Sequence, residues 1–457
     1  MSGLSVAHRV ALAALIEQAS DATLTKLASA AVALPGARAL ELGEMLAREV
    51  LDRKRRRFVM APLLPMFRPR ADGIEAMTFP PAVLPRLWKA GSAREPALLP
   101  RLDQQDEDAA PAAAAVADRI CLAAAAAVRD RPDLIWPADL EPERREQGLA
   151  DLAACVDLAH LARRGLPSIE VWLKRPDGDQ IAELRLLIKD CADIHLDGAQ
   201  RVLEMLFSHL DDAVLILRII TQSSCSSGRE GFLSASELAG FVERLIAGVD
   251  RRVARIGAFR PGSDLANVDA VIEDLTWCAN VLNELDVTLT LNPLSVWGKS
   301  VRDARVSLAG QLSAFLRAAD RAVDKALPLE RVQIAGRMTR KSPQLTAPVQ
   351  GETVQAVRHL LKLVGAVRGP ASIFGAESDR KRLVESLTDR LTDYADQALL
   401  IVNDGEAEDD VNALRLVELA ARCLDLIDAR AAARTVRRRA AVAGAGKGGS
   451  NPSSRAA

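Results

Sequence analysis

Aromatic residues are what this sequence has least of. One Tyr, nine Phe and five Trp make up 3% of a 457-residue chain whose apolar side chains make up 49%. Strands favour aromatic and β-branched residues, whereas Ala, Leu and Val at helical spacing fill helix stripes. The composition therefore argues against a sheet-dominated fold and predicts packed helices. It also leaves few rings to stack on single-stranded bases or flat cofactors. A surplus of either charge is missing too. Sixty Lys and Arg stand against 61 Asp and Glu, a formal charge of −1, so no global field recruits nucleic acid, and none is expected as a partner.

The six cysteines, Cys121, Cys155, Cys191, Cys225, Cys278 and Cys423, include no CxxC pair. That excludes a zinc knuckle and a redox dithiol, and the cysteines read as small buried hydrophobes in a reducing compartment. Their flanks do not match one another, which argues against a repeat array. No uninterrupted apolar run approaches the roughly 20 residues that span a bilayer. The short N-terminal run is broken at Glu17 and Asp21, too early for a signal peptide. A bacterial cytoplasmic protein is the expectation. Catalytic motifs are absent in readable form: there is no GxSxG elbow, no HExxH pair and no GxGxxG turn after a strand. The GAGKGG stretch at Gly444 to Gly449 is not a phosphate loop, because Ala441 replaces the first Gly and no Ser or Thr follows Lys447. No cofactor and no metal are expected.

What is present is helical periodicity almost end to end. The fold class read from it is all-α: a multi-helix bundle or elongated helical array with a Pro-rich irregular segment and a disordered C-terminal tail. Residues 1–135 hold a helical hairpin (4–33 and 37–57, turning at Pro35-Gly36), a Pro-rich stretch over 61–106 and an Ala-rich helix from Ala112 that needs close helix contact. Residues 141–329 read as a central bundle. Within it, Asp211 onward (DDAVLILRII) is apolar on nearly every face and reads as a buried helix, and VTLTL at 287–291 alternates like a lone strand. A polar connection follows Pro328. Residues 330–438 form a C-terminal helical unit with a narrow seam of Leu383, Leu387, Leu391, Tyr394, Ala398 and Ile401, and 439–457 is the tail.

Four candidate sites follow from residue type and spacing. The first is the basic run Arg53, Lys54, Arg55, Arg56 and Arg57, followed by Phe58, Leu63, Leu64, Met66 and Phe67. Cations beside protruding apolar side chains suit an anionic partner or membrane surface, at about 1 kcal/mol per basic residue; a helix C-terminus also gathers cations for its carbonyls. The second is a pair of segments, Cys155-Asp157-His160 and Cys191-Asp193-His195, of which only Cys191 and His195 share a helix face. The third is Ser226 to Glu237, which has the outline of a calcium loop but holds Ser226 and Gly228 where carboxylates belong; Ser234 and Glu237 read as a capping box instead. The fourth is the basic end of the last helix, Arg430, Arg434, Arg437, Arg438 and Arg439. The functional expectation is a non-catalytic helical interaction or scaffold protein with a protein partner and a possible peripheral membrane contact. The alternative is a helical enzyme whose site is scattered in sequence.

Overall fold

The structure is a computed structural model, and it describes residues 5–33, 35–103, 110–174, 176–223, 229–263, 267–335 and 338–447. It is all-α apart from one two-stranded ribbon among the described residues. The chain divides into two compact units, residues 1–241 and 242–457. The division falls inside the stretch 141–329 that reads as one bundle in sequence.

The first unit contains α1 (Val6–Gln18), α2 (Asp21–Ala33), α3 (Ala37–Val59), α4 (Val83–Arg94), α5 (Ala110–Asp130), α6 (Pro132–Ile135), α7 (Pro142–Asp157), α8 (Ala159–Gly165), α9 (Ile169–Leu173), α10 (Gly178–Ile194), α11 (Gly198–Ser208), α12 (Ile216–Ser223) and α13 (Glu230–Leu233). The N-terminal hairpin has three helices rather than two. Ser20 breaks the first one by accepting the Thr23 N–H on its Oγ at 3.1 Å, which starts α2. These helices share a small core of Ile16, Leu24, Ala31 and Leu46. Leu40 and Val50, also on α3, are exposed.

The main core of this unit forms around α5, which packs on α3, α4 and α7. Its alanines allow the close contact that their small volume predicts. At Gly91 of α4, an added Cβ would lie 2.8 Å from the Ala124 Cβ and 3.0 Å from the Ile120 carbonyl oxygen. By length and composition α5 is apolar enough to cross a membrane, although Asp118 and Arg119 interrupt its apolar run, and half of it is buried inside the unit as a core helix. Within the Pro-rich stretch, residues 68–82 are irregular, yet α4 forms because Pro85 occupies its first turn, where a missing N–H costs no helical bond. The DDAVLILRII stretch becomes a 3-10 turn and α12, burying Ile216, Leu217, Ile219 and Ile220.

The second unit contains α14 (Ala239–Ala258), in which the division falls, then α15 (Val268–Thr288), α16 (Val296–Ala326), α17 (Glu352–Ala366), α18 (Arg368–Ile373), α19 (Glu377–Asp404), α20 (Asp410–Leu426) and α21 (Arg430–Lys447). The expected seam on α19 is buried at Leu387, Leu391, Tyr394 and Ala398, against α20 and α21. The alternating segment at 287–291 is not a strand, because α15 runs on through Thr288. Helix α21 continues past Arg439 to Lys447, and the rest of the expected tail, 448–457, lies outside the described residues.

The polar connection after Pro328 is where the fold departs most from the reading. It forms an antiparallel ribbon of β1 (Leu329–Ala335) and β2 (Met338–Pro343), pairing Leu329 with Pro343 and Arg331 with Lys341. A bare hairpin is marginal in water. Here β2 packs against α19, and the ribbon's root is closed by the Gln344 N–H donating to the Pro328 carbonyl at 3.0 Å.

Candidate functional site

The basic run lies on the last turns of α3, and the fold divides its members between two roles. Arg53 is buried, which removes it from any partner surface. Its guanidinium donates to the carbonyls of Ile16, Glu17 and Ala19 at 2.8 to 3.0 Å, and pairs with Asp21 and Glu49 at 2.7 Å each. These carbonyls lie at the end of α1, where helical partners run out: the Ile16 carbonyl also accepts the Ala19 N–H at 3.3 Å, and Arg53 supplies the remaining donors. Burial works against the charge of Arg53, but the hydrogen bonds to Asp21 and Glu49 outweigh it and raise its pKa. Arg55 grips Asp103 through a two-pronged bond at 2.9 and 2.5 Å, which likewise raises its pKa. Arg57 lies 3.6 Å from Asp21. Lys54 and Arg56 form no ion pair among the described residues.

The apolar half of that candidate turns inward. Leu63, Met66 and Phe67 are buried, so they cannot protrude into a lipid surface, and only Phe58 stays substantially exposed. The Arg163 guanidinium lies 5.7 Å from the Phe58 ring centre. The expected apolar insertion into a membrane therefore loses most of its side chains.

Of the Cys, Asp and His residues in the second candidate, only part of the set converges. Cys155 and Cys191 are fully buried. Burial pushes the Cys191 thiol up to about 12 and the Cys155 thiol higher still, so neither offers a thiolate near neutral pH. Asp157, at the end of α7, meets His195, which ends α10, at 3.0 Å; its other contact is a two-pronged bond from Arg129. His160 turns back to the Asp157 carbonyl at 2.9 Å. No cluster of three or more His, Cys, Asp or Glu side chains able to hold a metal ion occurs among the described residues. His195 does line a groove of about 500 Å³ with Val128, Arg129, Leu149, Leu196 and Arg201. Arg201 is itself held by Asp151 and Asp197.

For the third candidate, residues 226–228 lie outside the described residues. The capping box expected of Ser234 and Glu237 is displaced: Ser234 ends α13, and the Ser236 Oγ accepts the Leu238 N–H at 3.2 Å before α14. The fourth candidate is partly neutralised, because Arg437 bridges Glu418 and Asp425 and Arg439 binds Asp396. Arg434 and Arg438 remain exposed.

The charged element that sequence reasoning missed is the ribbon. Arg331, Arg340 and Lys341 are all exposed and form no ion pair among the described residues. Arg331 and Lys341 are direct cross-strand partners. Like charges in that position destabilise a ladder, so the arrangement is one that an anionic partner would relieve. The missed signal was a two-residue spacer beginning with Gly336, just after the alternating Val332-Gln333-Ile334.

Comparison with protein-family models, curated proteins and solved structures returns no match.

Proposed function

We propose that the protein is a non-catalytic helical interaction protein of the bacterial cytoplasm, and that its second unit recognises a partner through the ribbon. The observation that carries this reading is the facing pair Arg331 and Lys341, exposed on an element that projects cations without internal partners. Lys54 and Arg56 add a smaller positive surface on the first unit. The five described cysteines, buried as free thiols, fit a reducing compartment. Cross-linking with mass spectrometry in lysate of the native host tests the reading. Cross-links from the ribbon to another chain should disappear in the triple variant R331E/R340E/K341E. An unchanged cross-link pattern would overturn the proposal.

A second reading, a helical enzyme, is favoured by one observation: the His195–Asp157 pair on the wall of a groove with an apolar floor. A small-molecule thermal-shift screen decides it. A ligand that stabilises the wild type but not H195Q supports this reading, and the lack of any such ligand counts against it.

A further inference from the structure

The ribbon is rooted beside an acidic turn. Asn412, in the first turn of α20, donates its Nδ2 to the carbonyls of Leu345 and Ala347 at 2.8 and 3.0 Å, just past the end of β2. The turn leading into α20 exposes Asp404, Glu406 and Glu408, and none of the three forms an ion pair among the described residues. Asp409 follows, and its carboxylate caps α20 through the N–H groups of Val411 and Asn412. Next to Asp404, a groove of about 730 Å³ opens between α19 and α21, lined by Leu399, Leu400, Asn403 and Val442 together with Arg438 and the Arg439–Asp396 pair. Leu400, Val411 and Val442 are 51%, 59% and 71% exposed. One end of the second unit thus presents uncommitted cations, uncommitted carboxylates and exposed aliphatic side chains.

We propose that this end is a self-recognition surface, in which the ribbon of one copy docks on the acidic α19–α20 turn of a second copy. The proposal rests on the ribbon being an interaction element and names its partner. Charge complementarity selects the occupant. The acidic turn lies by the ribbon's root, where Asn412 meets Leu345 and Ala347, so a nucleic-acid duplex on the ribbon would be repelled by its carboxylates, whereas a second copy satisfies both signs at once. A two-fold pair makes each contact twice, because the same patch serves on both chains. The net charge of −1 adds little repulsion between copies. A stable interface needs about 800 Å² per partner, more than one face of a short ribbon offers, and the exposed Leu400, Val411 and Val442 supply further area.

The test is the mass of the full chain in solution. By light scattering or sedimentation, the wild type should have twice the monomer mass of 49.1 kDa at low salt, and should dissociate as salt is raised from about 0.05 to 0.5 M. The ribbon variant R331E/K341E and the turn variant E406K/E408K should each be monomeric, with the wild-type far-ultraviolet circular dichroism. Mixed together they should form a heterodimer, because each reversed ribbon then meets a reversed turn. A wild type that stays monomeric, or a mixture that does not associate, overturns the proposal. If that monomeric wild type still cross-links through its ribbon to a different chain, or shifts duplex DNA in a gel, only the self-recognition step has failed. If reversal changes neither association nor any cross-link, the interaction reading fails with it.

Discussion

Arg53 Nη2 donates to the Ile16 carbonyl at 3.0 Å, and through that bond α3 closes the end of α1. The same guanidinium serves Glu17, Ala19, Asp21 and Glu49, so one side chain joins three helices at the edge of the small N-terminal core. Replacing it by Met keeps the aliphatic stem and removes every charge-assisted bond. We expect R53M to lose about 2 to 3 kcal/mol, with faster amide exchange confined to α1 and α2. The R56M control should change stability by less than about 0.5 kcal/mol. Urea unfolding and hydrogen exchange measure both. Equal losses in the two variants would contradict the role given to Arg53.

That residue also marks how far the sequence could be read. Stripes such as Val301, Leu308, Leu312 and Ala319 on α16, all four buried, are legible because helical spacing alone decides which side faces inward. Arg53 is indistinguishable in sequence from Lys54 or Arg56. Its burial depends on carbonyls at the end of another helix, a partner that no local pattern announces. The Asp157–His195 contact, 38 residues apart in the chain, is hidden for the same reason. The ribbon was legible in principle through its two-residue spacer, but its strands carry too few bulky residues for the alternation to stand out from a polar loop.

The small residues set a second prediction. Gly365 of α17 lies against the end of α20, where an added Cβ would run into the Leu426 carbonyl oxygen and crowd its carbonyl carbon at 3.2 Å. Backbone cannot yield as a flexible side chain can. G365A should therefore destabilise the second unit by about 1 to 3 kcal/mol, despite the higher helix propensity of Ala. At Gly310 of α16 nothing lies within 4 Å of the added Cβ. G310A should be neutral or stabilising by up to about 1 kcal/mol. Thermal melts of the pair give opposite signs if the contact is as described, and the same sign if it is not.

Thiol reactivity gives a third. Cys121, Cys191, Cys278 and Cys423 are buried, and burial pushes each thiol up to about 12; Cys155 is pushed higher still. All five should resist a thiol reagent at neutral pH until the protein unfolds. Cys225 lies outside the described residues, so at most one of the six cysteines should react quickly with a disulfide-exchange dye. Two or more fast thiols in the native protein would contradict the burial.

Two groups of the first unit act in different pH ranges, His209 above the range of the paired carboxylates and Asp72 within it. His209 ends α11, and its ring Nε2–H donates to the Pro62 carbonyl at 3.1 Å. Burial lowers its pKa from 6.5, against the opposing pull of the Pro62 and Ala61 carbonyls. The unfolded chain therefore takes up this proton more readily than the folded one, and stability falls as pH drops below about 6.5. Asp72 works lower. Burial would raise its pKa, but the Arg70 guanidinium and the N–H groups of Ile74 and Ala213 outweigh burial and hold the carboxyl below 3.8. Its contribution is complete above about pH 4 and is lost as pH falls through the lowered value. H209Q keeps an N–H donor for the Pro62 carbonyl and cannot titrate. Urea midpoints between pH 7.5 and 5 should fall for the wild type and hold nearly level for H209Q, while both collapse together below about pH 4. A D72N variant should lose stability at pH 7, because the amide gives up the charged bond to Arg70, and should show a shallower fall in acid than the wild type. If H209Q tracks the wild type from pH 7.5 to 5, the histidine is not the group responsible for the fall.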